Sequence, residues 1–196
     1  MLSKERTEKL DPRVKRTRGL LEQAFMDVLT EKGFQAVTVQ DIAERAGVNR
    51  ATFYAHFEDK YALLNHTIRR KFRQEIEKHM LNASQFSMDN LRLLFISLCE
   101  FVDNANAHCK PSESQFESLV ESQVKEQLRE LLQDWIEQVG SKMDAHTAAT
   151  ATSWAIYGLA LHWSHQKKRP APEHFAEQVL PLISANLRMM EPAKNP

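Results

Sequence analysis

The sequence predicts an all-α chain, a short N-terminal unit of three helices followed by a longer helical bundle, on three observations. Apolar residues recur at three- and four-residue spacing through most of its length. Glycine occurs only five times in 196 residues, at 19, 33, 47, 140 and 158, too rarely for the turns of an all-β fold. Helix-start and helix-stop residues, such as Asp11-Pro12, Gly33, Gly47 and Asn49, punctuate the apolar stripes.

Asp11 caps the first helix and Pro12 opens it without losing a needed N–H. Val14, Leu21, Ala24, Phe25, Val28 and Leu29 form its stripe, so a helix is predicted over about 12–32. Gly33 stops it, and Phe34 folds back on Leu29. Gly19, inside this helix, costs up to about 1 kcal/mol against Ala and has no evident reason.

Thr38 and Asp41 form a capping box for a short helix over about 39–45, with Ile42, Ala43 and Ala46 inward. Gly47 turns the chain, and Asn49 caps a helix over about 50–56. Two short helices joined by a Gly-containing turn read as a helix-turn-helix, a pattern that capped helices of ordinary bundles also show. Phe53 and Phe57 face inward, which leaves Arg50, Thr52, Tyr54, Ala55 and His56 outward or at the edges. Arg50 can grip guanine with its fork, and Ala55 can touch a thymine methyl. Tyr54 and His56 carry polar tips suited to phosphate, and Lys60 with the next helix N-terminus offers one more phosphate contact.

From Asp59 the stripe Leu64, Ile68, Phe72, Ile76 and Met80 predicts a long helix with a basic face at Arg69, Arg70, Lys71 and Arg73, of which Arg70 and Arg73 are expected to be solvated. Residues 88–107 are apolar nearly all round and should be buried. Lys110-Pro111 breaks that helix, and one or two amphipathic helices then run from Phe116 to Gly140. Residues 145–166 hold no Asp, Glu, Lys or Arg, but their Thr, Ser, His and Gln groups argue against a membrane span. A last helix begins near Pro172, carries Phe175, Val179, Leu182, Ile183 and Leu187, and is expected to kink at Pro181. Two such C-terminal helices, the first with small residues at 148, 149, 151, 155 and 158, fit either intrachain core or a four-helix bundle shared by two subunits.

Charge divides along the chain. The formal net charge is zero, yet residues 1–80 carry +4 and the remainder −4. A basic N-terminal part beside an acidic remainder implies different partners, with polyanionic phosphate a candidate for the first. Cys99 and Cys109 are the only cysteines, so no disulfide framework is expected. Cys99 reads as core, and Cys109, beside His108 and Lys110, as the more reactive thiol. Neither His162-x-x-His165 nor His108-Cys109 completes a ligand set, so no metal site is expected, and no nucleophile elbow, P-loop or dinucleotide fingerprint marks an enzyme or a cofactor. Lys4, Glu5 and Arg6 follow Met1 where a signal peptide would be apolar, and a cytoplasmic location is expected.

The stretch from Thr38 to Leu64 closely resembles the DNA-binding domain of the tetracycline-repressor-like (TetR/AcrR) family. The Ile-Ala, Ala-Gly-Val, Thr-Phe-Tyr, His-Phe and Lys-x-x-Leu-Leu elements stand in register, and the resemblance extends over about 12–64. It implies an all-α homodimer with an N-terminal helix-turn-helix DNA-binding domain (1–58), a connecting helix (59–80) and a C-terminal ligand-binding and dimerisation domain (81–196). Most members are repressors that small molecules release from double-stranded DNA operators. Base-reading positions then fall on Gln40, Arg50, Ala51 and Ala55, and phosphate contacts on Thr38, Thr52, Tyr54, His56 and Lys60. The implied effector cavity lies between the connecting helix and those that follow, with Phe95, Cys99, Phe101, Trp135, Trp154 and Tyr157 as candidate walls. A neutral or weakly acidic aromatic or lipid-like effector is expected, and the dimer is expected through about 145–188. The alternative is a helical adaptor that uses the same fold to bind protein.

Overall fold

In the computed structural model, residues 11–79, 85–108, 114–139 and 144–188 are described, and they form eight helices and no strand. These are α1 (Pro12–Lys32), α2 (Val39–Ala46), α3 (Arg50–Tyr54), α4 (Lys60–His79), α5 (Met88–His108), α6 (Ser114–Val139), α7 (Ala145–Ser164) and α8 (Pro172–Arg188). Lys110-Pro111, Cys109, Gly140 and Met80 lie outside the described residues.

The predicted caps form. Asp11 accepts from the Arg13 N–H at 2.9 Å, and Gly33, at φ 78°, donates to the Leu29 carbonyl at 2.8 Å. Phe34 meets the rings of Phe25, Tyr61 and Phe116, so the loop after α1 is anchored to α4 and α6 as well as to α1. The Thr38–Asp41 box is reciprocal: the Asp41 N–H donates to Thr38 Oγ1 at 3.2 Å and the Thr38 N–H to Asp41 Oδ2 at 2.9 Å. Gly47 takes φ 69°, the left-handed conformation that closes α2. The third helix is shorter than the expected 50–56, because the His56 N–H bonds the Phe53 carbonyl three residues back and tightens the last turn.

α5 is the hub, packed against α4, α7 and α8, while α6 lies along α7 and α4. Leu91, Leu94, Phe95, Leu98 and Cys99 are each fully buried, as an all-round apolar helix requires. A single helix, α6, spans the segment where one or two were expected. The uncharged α7 satisfies its polar groups locally: Thr152 Oγ1 donates to the Ala148 carbonyl at 2.8 Å and Ser153 Oγ to the Thr150 carbonyl at 2.8 Å. Among the described residues no helix is long and apolar enough to cross a membrane. α8 continues through Pro181.

The expectation for Arg70 is corrected. It pairs with Glu22 of α1, a carboxylate that also meets His66 Nε2 at 3.1 Å, while its neighbour Arg69 pairs with Glu130 of α6 at 3.0 Å. α4 is thereby tied to both ends of the molecule. Gly19 sits on an exposed helical face where an added Cβ would meet nothing, and nothing in the structure explains it.

Candidate nucleic-acid interface and effector cavity

α2 and α3 hold their outer residues in place by burying Ile42, Ala43 and Phe53 beneath them. Gln40, Arg50, Ala51, Tyr54 and Ala55 are all exposed on this surface. The Arg50 guanidinium lies 5.9 Å from the Tyr54 ring centroid and its Nη2 donates to the Tyr54 hydroxyl at 3.4 Å, which pre-orients both side chains. Gln40 Nε2 donates to Glu44 Oε1 at 2.8 Å. Thr38 and Thr52 are engaged as cap partners: Thr38 Oγ1 donates to Asp41 Oδ2 at 2.6 Å, and Thr52 Oγ1 to Asn49 Oδ1 at 3.0 Å. A hydrogen bond from Lys32, then those from Thr38, hold the Asp41 carboxyl down at about 2.

His56 is half-buried. Burial, and then the Arg18 charge, lower its pKa from the ordinary 6.5, so at neutral pH it offers phosphate a neutral N–H and no charge. Arg18, one of the basic residues among the first twenty, places its charge beside His56. Its guanidinium lies 5.8 Å from the Phe57 ring, and its buried Nε has no hydrogen-bond partner among the described residues.

Lys60 departs from expectation. Its ammonium turns inward and donates to the carbonyls of Phe34, Gln35 and Val37 at 3.0, 3.3 and 2.9 Å. Those three bonds use all its donors, so the side chain holds the 34–37 loop against α4.

The six candidate cavity walls separate. Phe95, Cys99 and Trp135 are closed core: Phe95 packs on Phe175, and Trp135 on Phe86. Burial, helped by the Glu100 charge, pushes the Cys99 thiol up to about 12, which makes it inert. Trp154 lies away from that core and borders an open, polar groove of about 610 Å³ between α6 and α7. It is 62% exposed on α7, with Lys125 Nζ 4.2 Å from its ring, because α7 turns its other face to the core. Phe101 does line a cavity, of about 310 Å³, between α1, α4, α5 and α6. Met26, Leu64, Ile68 and Phe116 share its apolar wall, and Lys71 and Lys78 stand among its polar residues. Tyr157 borders a smaller space of about 100 Å³, and burial, then the Glu121 and Glu117 charges, raise its hydroxyl pKa.

Residues 20–67 match the family model described as bacterial regulatory proteins, tetR family. The match lies within the N-terminal part of the chain, from α1 into α4. TetR-family proteins are transcriptional regulators rather than enzymes. The uncharacterised HTH-type transcriptional regulator YxbF of Bacillus subtilis (strain 168) is 42% identical over 82 residues, which are 41% of this chain and 21% of that protein. The chain thus spans about a fifth of the length of that curated relative. A TetR-family regulator from Streptomyces coelicolor A3 superimposes with a TM-score of 0.61 at 20% identity, over 89% of this chain and 98% of that one. FadR from Bacillus subtilis, solved with stearoyl-CoA, gives 0.55 at 18% identity, over 86% and 98%. At such identities these two establish a shared all-helical fold.

Proposed function

We propose that this chain is a ligand-responsive, DNA-binding transcriptional regulator of the cytoplasm, a homodimeric repressor that leaves a pseudo-palindromic operator when a small apolar effector binds. The observation that carries the reading is the surface of α2 and α3. Gln40, Arg50, Ala51 and Ala55 are exposed together on two capped helices whose inner faces are buried in the N-terminal core. Arg50, stacked on Tyr54, is the main base reader. Thr38, Thr52, Tyr54, the neutral His56 and Arg18 position the phosphates, and Lys60 acts through the loop it anchors.

Residues 1–58 form the DNA-binding unit, 59–80 the connecting helix and 81–196 the effector and dimer unit. The cavity at Phe101 is the effector site, because α1 and α4 both wall it and any ligand there acts directly on the junction between the two units. An effector that favours the arrangement with displaced recognition helices releases the operator by population shift. Its apolar wall and Lys71, which stands apart from the Glu75–Lys78 pair, suit a lipid-like molecule with an acidic end. FadR, a structural neighbour, holds stearoyl-CoA, an amphipathic molecule of that kind.

Binding of the full chain to the DNA upstream of its own gene, measured across salt concentrations, tests the reading. A regulator shows a steep salt dependence and loses about 1–3 kcal/mol of preference at one operator position in Arg50→Ala. A helical adaptor, the other use of this fold, shows neither.

A further inference from the structure

We propose that Glu75, His79 and Glu100 form a binding site for a divalent first-row transition-metal ion such as Zn²⁺, clamping α4 to α5. Glu75 and His79 are one turn apart on α4, so both point to the same side of the helix. Glu100 reaches them from α5, and one donor atom from each residue lies within 4.8 Å of the other two. His79 Nε2 and Glu100 Oε2 are 2.9 Å apart and share a hydrogen bond. Tetrahedral ligands about 2.0–2.1 Å from Zn²⁺ stand about 3.3 Å from one another, so an ion replaces that shared proton with only a small shift of the side chains.

The donor chemistry selects the class of ion. Two carboxylates and one imidazole suit borderline first-row cations better than thiophilic ones, and three protein ligands leave a position for water. The Glu75 side chain is only 9% exposed, so its charge is held away from bulk water and calls for a counter-cation. Lys78 supplies one now, with Nζ 2.8 Å from each Glu75 oxygen. That lysine is itself 60% exposed and free to swing into solvent when a divalent ion takes its place. Glu75 and Lys78 also border the cavity between α1, α4, α5 and α6, which gives the ion a path in from solvent.

The sequence concealed this site because its third ligand lies 21 residues beyond His79, on another helix, where no motif spacing brings it into view. The site rests on ligand geometry alone and does not depend on the reading of the chain as a ligand-controlled repressor.

The full chain, stripped with a chelator and dialysed, is titrated with ZnCl₂ and with CoCl₂. The readouts are calorimetric stoichiometry, the thermal midpoint and the visible absorption of Co²⁺. One equivalent per chain is expected, with a raised midpoint. His79→Gln and Glu100→Gln should each weaken the ion by at least about tenfold, the scale seen when even an outer-shell partner is lost. Lys78→Ala should tighten it, since the competing ammonium is gone, whereas a purely structural Lys78–Glu75 pair predicts only lost stability. Absence of a one-equivalent event, or an affinity that neither His79→Gln nor Glu100→Gln changes, overturns the proposal. The second outcome would transfer the ion to other histidines such as His162 and His165.

Discussion

Arg70 of α4 pairs with Glu22 of α1, whose side chain is only 4% exposed. A carboxylate so placed has lost most of its hydration and depends on its partners, the Arg70 guanidinium and the His66 ring. The preceding residue, Arg69, faces the opposite way, to Glu130 of α6. Consecutive residues of one helix thus join the N-terminal unit to the bundle, and a shift of α4 strains both joints at once.

Arg70→Ala should therefore cost more than an exposed pair would. Removing one partner of a fully buried pair costs about 3–5 kcal/mol, but Arg70 is half-exposed, which reduces the expectation to about 1–2 kcal/mol. Arg70→Lys should recover part of this. Urea unfolding reads the difference, and an unchanged midpoint in Arg70→Ala would mean that Glu22 does not rely on the arginine.

Lys60→Ala separates two roles. A side chain that touches phosphate would, when removed, lower the slope of log affinity against log salt by about one. The three carbonyl bonds predict instead a loss of stability of about 1–3 kcal/mol, weaker DNA binding and an unchanged slope. Unfolding curves together with a salt series on one operator fragment distinguish them.

Much of the N-terminal unit was legible because its determinants are local. The caps at Asp11, Thr38 and Asn49 act on N–H groups two or three residues away, and the structure has all three. Lys60 and Arg70 were not legible because their partners, near residue 35 and at residue 22, are brought close only by tertiary folding. In the bundle the difficulty was different. α5 and α7 are apolar on more than one side, so periodicity does not say which side turns inward. For that reason Trp154, on the outer face, was grouped with the buried Phe95 and Trp135, and only Phe101 of the six lines the apolar cavity between α1, α4, α5 and α6.

His56 gives a pH dependence of definite sign. Its folded pKa lies below the ordinary 6.5 because of burial first and Arg18 second. The unfolded chain therefore binds the proton more readily, and the contribution of this residue is fully present above about pH 6.5 and lost as pH falls through the lower folded value. Stability of the wild type minus that of His56→Gln should be flat above neutrality and decline on acidification. A difference that grows in acid would mean that His56 is stabilised as the cation.

The cavity yields a paired prediction. Ala105 lines the spaces beside Phe101 and beside Tyr157 and is only partly buried, so Ala105→Phe fills volume without removing a core contact. Any apolar compound found to release the operator should lose affinity by about tenfold or more in this variant, the scale of one lost buried side-chain contact. Trp154→Ala should leave it unchanged. The reverse pattern in fluorescence or calorimetric titrations would relocate the effector to the α6–α7 surface.

The outer face of α7 makes the oligomeric state testable with a substitution whose effects on monomer and dimer have opposite signs. Ala151, Trp154 and Gly158 are exposed at helical spacing, and Leu182 of α8 is 65% exposed. Burying side chains of the size of Trp154 and Leu182 is worth about 1.5–3 kcal/mol each, which favours a second copy against this face. A Cβ added at Gly158 would meet nothing within 4 Å in its own chain, so the small residue serves no packing need there. Gly158→Leu should raise the helix propensity of α7, by up to about 1 kcal/mol, and so stabilise the isolated fold. Against a closely approaching partner helix the same side chain collides. The expected result is a wild-type dimer at micromolar concentration, a Gly158→Leu monomer with an undiminished unfolding free energy, and loss of the operator, since two recognition helices about 34–36 Å apart must engage together. Leu182→Asp should act in the same direction by placing a charge in the interface. Light scattering decides the matter: a Gly158→Leu protein that remains dimeric, or a wild type that is monomeric yet binds its operator normally, removes α7 from the interface.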